Sequence, residues 1–574
     1  MKLRCRDLPS GVPLPHVHPV LDRVYRARGI TSPEQLDHAL GRLLPVSRLD
    51  GVAAAADLLA TAVIDQRRIL LVGDFDADGA TSVAVALRAL RAMGANDPLY
   101  LVPNRFEDGY GLSPPLVDEA QRLAADVLVT VDNGISNIEG VLAAHARDMQ
   151  VVVTDHHLPG RHLPAADVIV NPNLPDCGFQ SKCLAGVGVI FYTMVALGRE
   201  LERRGWFSGD RRSPVLSSLL DLVALGTVAD VVPLDQNNRV LVTQGLRRIR
   251  AGKACPGLLA LLDVSGRDYR HVGALDLGFA VGPRLNAAGR LEDISVGIEC
   301  LLSDDPERAR QLAGALDALN RQRRELQQAM QQQAVERVEA VVAPERALAP
   351  CLCLHDVEWH EGIVGLVASR IKERYHRPVF AFAPTADDHL KGSGRSIPGL
   401  HLRDLLARIE ALEPGLISRF GGHAAAAGLT LPRAHLPRFE QLAVAIADEQ
   451  LDHDALSPEC LTDGPLTAAD LDMRLAAAIE NGGPWGQGLP EPLFENAFDV
   501  IDRRPVGDGH LRFRLRLCDA PAMPPVEAIA FQACEKGWDQ PADRVEIAYQ
   551  LNVNRWQGRE RLQLMVRELS PRND

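Results

Sequence analysis

The stretch Leu70–Gly79, LLVGDFDADG, joins two halves of opposite character. Leu70, Leu71 and Val72, extended upstream by Ile69, form the short apolar run expected of a strand buried on both faces. Asp74, Asp76 and Asp78 then recur at alternate positions, at the edge of that core. At about 4 Å, two like charges repel by roughly 4 kcal/mol at an effective dielectric near 20. Three adjacent carboxylates must therefore be held apart, solvated or neutralised.

Strand-length apolar runs recur downstream at Leu99–Val102, Val127–Val131, Val151–Thr154 and Val168–Val170. Helical patterns lie between several of them, clearest at Ala80–Met93, where Val83, Leu87 and Leu90 share a face and Gly94 ends the run. Such alternation predicts a parallel α/β sheet. Asp74, Asp132 and the triplet Asp155-His156-His157 each follow the C-terminal end of a predicted strand. In an open parallel sheet those ends converge on one ligand crevice.

The rest of the 574 residues is too long for one core and suggests three or four domains. Residues 1–50 read as an irregular arm with short helices, and 51–302 as the α/β domain, its second half mostly helical. Residues 303–344 read as one long connecting helix, and 345–455 as a mixed α/β domain with Gly-rich turns at KGSGRS and FGGHAAAAG. Residues 456–574 carry alternating strands that suggest a small β-barrel or sandwich. The N-terminus lacks the apolar core of a secretory signal, and no run approaches the length of a membrane span. The ten cysteines are scattered without CxxC spacing, which points to a reduced, cytoplasmic setting and not to zinc or disulfides. A net charge of −13 argues against a nucleic-acid coat protein, though carboxylates gathered around cations would count in that sum.

Carboxylates with an imidazole and no thiolate suit a hard or borderline cation, Mg²⁺ or Mn²⁺. Asp76 and Asp78 reach one site from a tight turn permitted by Gly79, Asp132 can bridge two ions, and His156 adds a nitrogen. Two cations would also relieve the carboxylate repulsion, and such pairs serve phosphoryl displacement. Asp230, in GTVADVVPL, reads equally well as a helix cap.

DFDADG, TVDNG, VTDHH and GTVADVVPL, in that order over Arg68–Leu234, resemble the successive signature motifs of the Asp-His-His (DHH) phosphoesterase superfamily. GPRLNAAGR, WHEGIVGLVASRI, GSGRS and GGHAAAAG further resemble its single-strand-specific 5′→3′ exonucleases, over nearly the whole chain. The resemblance implies a parallel-sheet DHH domain, a DHHA1 domain reached by the long helix, and a C-terminal OB-fold in which Arg512, Phe513, Arg514, Arg555 and Trp556 could meet a strand. It implies Asp74, Asp76, Asp78, Asp132, His156 and Asp230 as ligands of two Mn²⁺ or Mg²⁺ ions, Asp155 as the residue that orients the site, and His157 facing the scissile phosphate. Arg105, Arg284, Arg290, Ser393, Arg395 and His423 would hold substrate phosphate, with a structural ion pair the alternative for each arginine. The implied activity is removal of 5′-mononucleotides from single-stranded DNA in recombination and in mismatch or base-excision repair. An active site sunk between two domains would admit one strand only. A monomer working beside a RecQ-type helicase and single-strand-binding protein is implied. The alternatives are a DHH phosphoesterase acting on short oligonucleotides or cyclic dinucleotides, and an inactive DHH replication scaffold.

Overall fold

The computed structural model describes residues 2–103, 111–341, 348–385, 387–452, 454–507, 509–534, 536–556 and 558–572. They fall into two units, one of residues 5–318 with 461–574, the other of 1–4 with 319–460.

In the first unit, strands β1 (Ile69–Val72), β2 (Leu99–Leu101), β3 (Val127–Val131), β4 (Gln150–Thr154) and β5 (Val168–Val170) form a parallel sheet in the order β2-β1-β3-β4-β5. All four residues of β1 and all five of β3 are buried, as uninterrupted apolar runs require. Strand order reverses between β1 and β3, so the crevice of this doubly wound sheet opens between their C-terminal ends. Helix α1 (Ala77–Met93) is apolar nearly all round and lies buried along its length. It begins three residues earlier than predicted, because Asp76 caps it, so Asp78 sits in the first helical turn and not in a tight turn.

The helices that complete this unit's crevice include α2 (Gly186–Arg203), α3 (Leu220–Ala229) and α4 (Gly282–Leu291). The C-terminal strands close into a five-stranded barrel, which decides between barrel and sandwich. Its core includes Val20, Leu21, Val24 and Tyr25 of the helix Pro19–Arg26, packed with Phe494, Phe498 and Tyr549. The Tyr25 hydroxyl donates to the Gly482 carbonyl at 2.8 Å, and Arg28 grips buried Asp463 with two N–H groups at 2.6 and 2.9 Å. The segment expected to be an irregular arm therefore belongs to the barrel core.

The long helix α5 runs Pro306–Val341, as its apolar spacing predicts. In the second unit a five-stranded mixed sheet carries KGSGRS on the strand His389–Arg395, and FGGHAAAAG on Arg419–Gly422 and Ala426–Pro432. These glycines were expected to make turns. They are strand residues because rings lie across them: a β-carbon on Gly392 would stand 2.4 Å from Cε1 of Phe382, and one on Gly394 2.6 Å from Cε1 of Phe380. Glycine in a strand marks such a close approach.

Gly392→Ala should destabilise this unit by about 1–3 kcal/mol, the usual cost of overpacking a filled core. A denaturant midpoint equal to that of the parent protein would contradict the ring-room explanation.

Candidate metal centre

The carboxylates at the crevice are placed by backbone N–H groups. Asp74 accepts from the Phe75 N–H at 2.7 Å through Oδ1. Asp76 Oδ1 takes the N–H groups of Asp78 and Gly79 at 2.9 and 3.1 Å, which fixes the start of α1. Asp78, 1 % exposed, accepts the first two N–H groups of α2, Gly186 at 2.7 Å and Val187 at 2.9 Å. A helix N-terminus favours an anion there. Asp132 follows β3 with φ 62, in the left-handed region that non-glycine residues seldom occupy. Asn133 supports that turn by donating from Nδ2 to the carbonyls of Val72 and Val131 at 2.9 and 2.8 Å, tying the tips of β1 and β3 together.

Imidazole and carboxylates then converge. His156 Nε2 lies 3.1 Å from Asp132 Oδ1 and 3.5 Å from Asp230 Oδ2. Donor atoms of Asp74, Asp76 and Asp132 lie within 4.8 Å of one another, as do those of Asp78, His156 and Asp230, and those of Asp132, His156 and His157. The buried Nε2 of His156 and Oδ2 of Asp230 have no hydrogen-bond partner among the described residues. Atoms so close yet not hydrogen-bonded to each other fit a shared cation between them, and an oxygen-rich set with imidazole and no thiolate fits Mg²⁺ or Mn²⁺.

The proton affinities agree. Burial, then the charges of Asp230 and Asp76, push Asp78 well up; burial, then Asp78 and Asp76, do the same to Asp132. Asp230 is pushed up to about 7 by burial and by Asp76. His156 is pulled down to about 4 by burial and by neighbouring His157, so its ring is neutral and free to ligate. Asp155 is used differently. Its Oδ1 accepts from the N–H groups of His156 and His157 and meets His157 Nδ1 at 2.7 Å, while Oδ2 accepts from Ile135 N–H at 2.9 Å. Burial alone would lower His157, but the hydrogen bond and charge of Asp155 outweigh it and carry the ring up to about 9. A ring protonated at neutral pH is a hydrogen-bond donor.

Several positioning groups were not read from the sequence. Asn171 and Asn173, just past β5, donate to the carbonyls of His157 and His156 at 2.9 and 2.5 Å. The signal was the same one used for the other tips: polar residues past a strand end. Gly186 lets α2 press on the ligand, since a β-carbon there would stand 2.5 Å from that of Asp132. Beyond Asp230, the chain is anchored by Leu234 N–H to the Gln487 carbonyl at 2.7 Å, in the segment leading to the barrel.

Of the expected substrate contacts, Arg105 lies outside the described residues. Arg284 is 7 % exposed and donates to Asp317 Oδ1 of α5 from Nε at 3.0 Å and to the Ala280 carbonyl at 2.6 Å. Its structural ion pair is thus formed. Arg290 is half-buried in the last turn of α4. In the second unit, Arg395 donates to Ser393 Oγ at 3.0 Å from the same face of one strand, and exposed His423 follows the strand Arg419–Gly422.

The sequence matches the DHH family, N-terminal domain, over residues 68–227, the DHHA1 domain over 347–450 and the RecJ OB domain over 462–568. It is 50% identical to the single-stranded-DNA-specific exonuclease RecJ of Salmonella typhimurium over 98% of this chain and 97% of that one. The chain belongs to the RecJ family. RecJ of Escherichia coli is 49% identical over the whole of this chain and 99% of its own. The crystal structure of Thermus thermophilus RecJ in complex with Mn²⁺ shares 33% identity at a TM-score of 0.79, covering 97% of this chain and 76% of that one.

In the cation-free protein, Asp78, Asp132 and Asp230 bind more protons folded than unfolded. For Asp230 that contribution to stability is lost as pH rises from about 4 through about 7, and for Asp78 and Asp132, raised in the same direction, it is likewise lost as pH rises. Divalent cations replace those protons. The rise in melting temperature on adding Mn²⁺ should grow steadily between pH 5 and pH 8, and a shift independent of pH would show that these carboxylates are not the ligands.

Proposed function

We propose that this chain is a metal-dependent, single-strand-specific 5′→3′ exodeoxyribonuclease that hydrolyses terminal phosphodiesters and releases 5′-mononucleotides. The observation that carries the reading is a pair of adjoining donor sets, Asp74-Asp76-Asp132 and Asp78-His156-Asp230, which meet where His156 Nε2 lies 3.1 Å from Asp132 Oδ1, the arrangement a pair of cations needs. Relatives 50% and 49% identical along nearly their full length bear the name single-stranded-DNA-specific exonuclease. No signature carboxylate or histidine is missing, which disfavours an inactive scaffold.

A pair of divalent cations, when bound, supplies neutralisation of the phosphate and acidification of the attacking water. The protein's own groups do the rest. Asp74, Asp76, Asp78, Asp132, His156 and Asp230 form the seat. Asp155 fixes the His157 ring through Nδ1 and keeps it charged, so that Nε2–H donates to a phosphate oxygen as negative charge grows there. Arg290 in the first unit, and Ser393 beside Arg395 in the second, carry groups of the kind that hold phosphate.

A single strand also needs a path. A cavity of about 860 Å³ in the first unit is lined by five arginines, among them Arg247, Arg250 and Arg555, against three carboxylates, Asp276, Glu480 and Glu491. At its wall Phe279 is 74 % exposed, presented by a π-helical turn at Leu277–Val281. That turn continues into α4 and packs on the end of α3, since a β-carbon on Gly278 would lie 3.2 Å from Val228 Cγ1, two residues before Asp230. The metal ligands are not part of this cavity, which suits a strand running to them and not the reaction itself. A bare aromatic among guanidinium groups is how proteins hold unpaired bases without reading them.

A time course on 5′- and 3′-labelled single strands should release labelled mononucleotide from the 5′ label at once, and chelator should abolish it. Asp132→Ala should cut the rate by about 100-fold or more, above the usual effect of outer-shell residues. Release from the 3′ label first, or an unaffected Asp132→Ala enzyme, would defeat the proposal. For the path, Phe279→Ala should raise KM by about 5- to 100-fold, from the 1–3 kcal/mol typical of base stacking. The loss should vanish on strands with an abasic tract, whereas an equal loss on those strands would remove Phe279 from the path.

A further inference from the structure

The motif GPRLNAAGR was expected to act through its arginines, but an uncharged residue of it also engages the Asp-rich loop. Helix α4, which carries it, lies against the Asp-rich loop so tightly that a β-carbon on Gly289 would stand 1.8 Å from the Phe75 carbonyl oxygen. One turn earlier on the same helix, Asn286 Oδ1 accepts the Ala77 N–H at 2.8 Å. The facing group is a donor, so the side-chain atom that meets it is the oxygen. Arg284 pins the helix from the other side, through Asp317 on α5 and the Ala280 carbonyl.

Ala77 is the first residue of α1 and is 1 % exposed. The N-terminal turn of any helix leaves its first N–H groups without intrahelical acceptors. Here Asp76 Oδ1 serves the second and third, Asp78 and Gly79, and the Asp76 carbonyl takes Ala80 at 2.9 Å. The remaining one, at Ala77, is served from another helix by Asn286. We infer that Asn286 is a positioning residue of the cation site, whose neutral oxygen satisfies Ala77 and so leaves a carboxylate oxygen of Asp76 for the cation. Without it, a buried N–H that cannot stay unsatisfied would compete for the carboxylates that flank it in the chain, Asp76 and Asp78. Turning one of them onto Ala77 withdraws a ligand and loosens the geometry of the rest. A neutral acceptor also adds no charge to a cluster of carboxylates.

The inference rests on the divalent-cation reading, and Mn²⁺ titration of the cation-free parent protein by calorimetry tests that reading first. If the parent binds no Mn²⁺, both fall together. If it binds, Asn286→Ala should raise the Mn²⁺ dissociation constant by about 10- to 100-fold, the usual effect of losing an outer-shell partner. Asn286→Asp, which keeps the acceptor, should bind Mn²⁺ at least as tightly as the parent. Parent-like affinity in Asn286→Ala, or equal weakening in both variants, would overturn the assignment. A purely architectural role would lower the melting temperature of the cation-free protein in Asn286→Ala and leave the dissociation constant in place. Should the alanine variant fail to fold, Asn286→Ser, whose side chain is too short to reach Ala77, takes its place against Asn286→Asp with the same two outcomes.

Discussion

Self-repulsion among buried carboxylates is the constraint around which the first unit is organised. Asp78 and Asp132 are 1 % and 2 % exposed, each within reach of other acids, in a place where water cannot screen them. Among the described residues, no lysine or arginine forms an ion pair with Asp76, Asp78 or Asp230. The compensation comes instead from dipoles: two N–H groups at the start of α2 on Asp78, two at the start of α1 on Asp76, and one following residue on Asp74. Dipoles orient a carboxylate without neutralising it. Asp155 does hold an internal partner, His157, and it is the acid whose oxygens are fully occupied by hydrogen bonds.

Much of this was legible because the parallel sheet makes sequence order into spatial order. A four- or five-residue apolar run followed by an acid places that acid at the strand's C-terminal tip, and the tips of β1, β3 and β4 must converge. Asp74, Asp132 and His156 were found this way and do converge. Asp230 was ambiguous for a physical reason: it is the residue that follows a helix, and it serves there as the C-terminal cap while also facing His156.

What escaped was decided by contacts between segments distant along the chain. The glycines of KGSGRS look like turn formers until Phe380 and Phe382 are laid across them, which depends on strand register. Arg284 looks like a phosphate ligand until Asp317 is brought beside it by a separate helix. Residues near the N-terminus look irregular because their apolar partners lie more than 400 positions away, in the barrel. In each case local pattern carried the residue type correctly and could not carry its neighbour.

The tether from Leu234 to Gln487 bears on how the parts of this protein are inherited together. Asp230 lies four residues before that tether, and Gly486 and Gly488 pack against it: a β-carbon would stand 2.8 Å from Leu234 Cδ1 at the first and 3.3 Å from Pro233 Cβ at the second. A segment some 250 residues downstream is thereby tied to the stretch that follows Asp230. An exchange of the barrel that begins upstream of Gln487 also replaces the brace, whereas one that begins at the first barrel strand, Phe494, keeps it. Recombination between homologues is expected to respect that joint, cutting upstream of both partners or downstream of both.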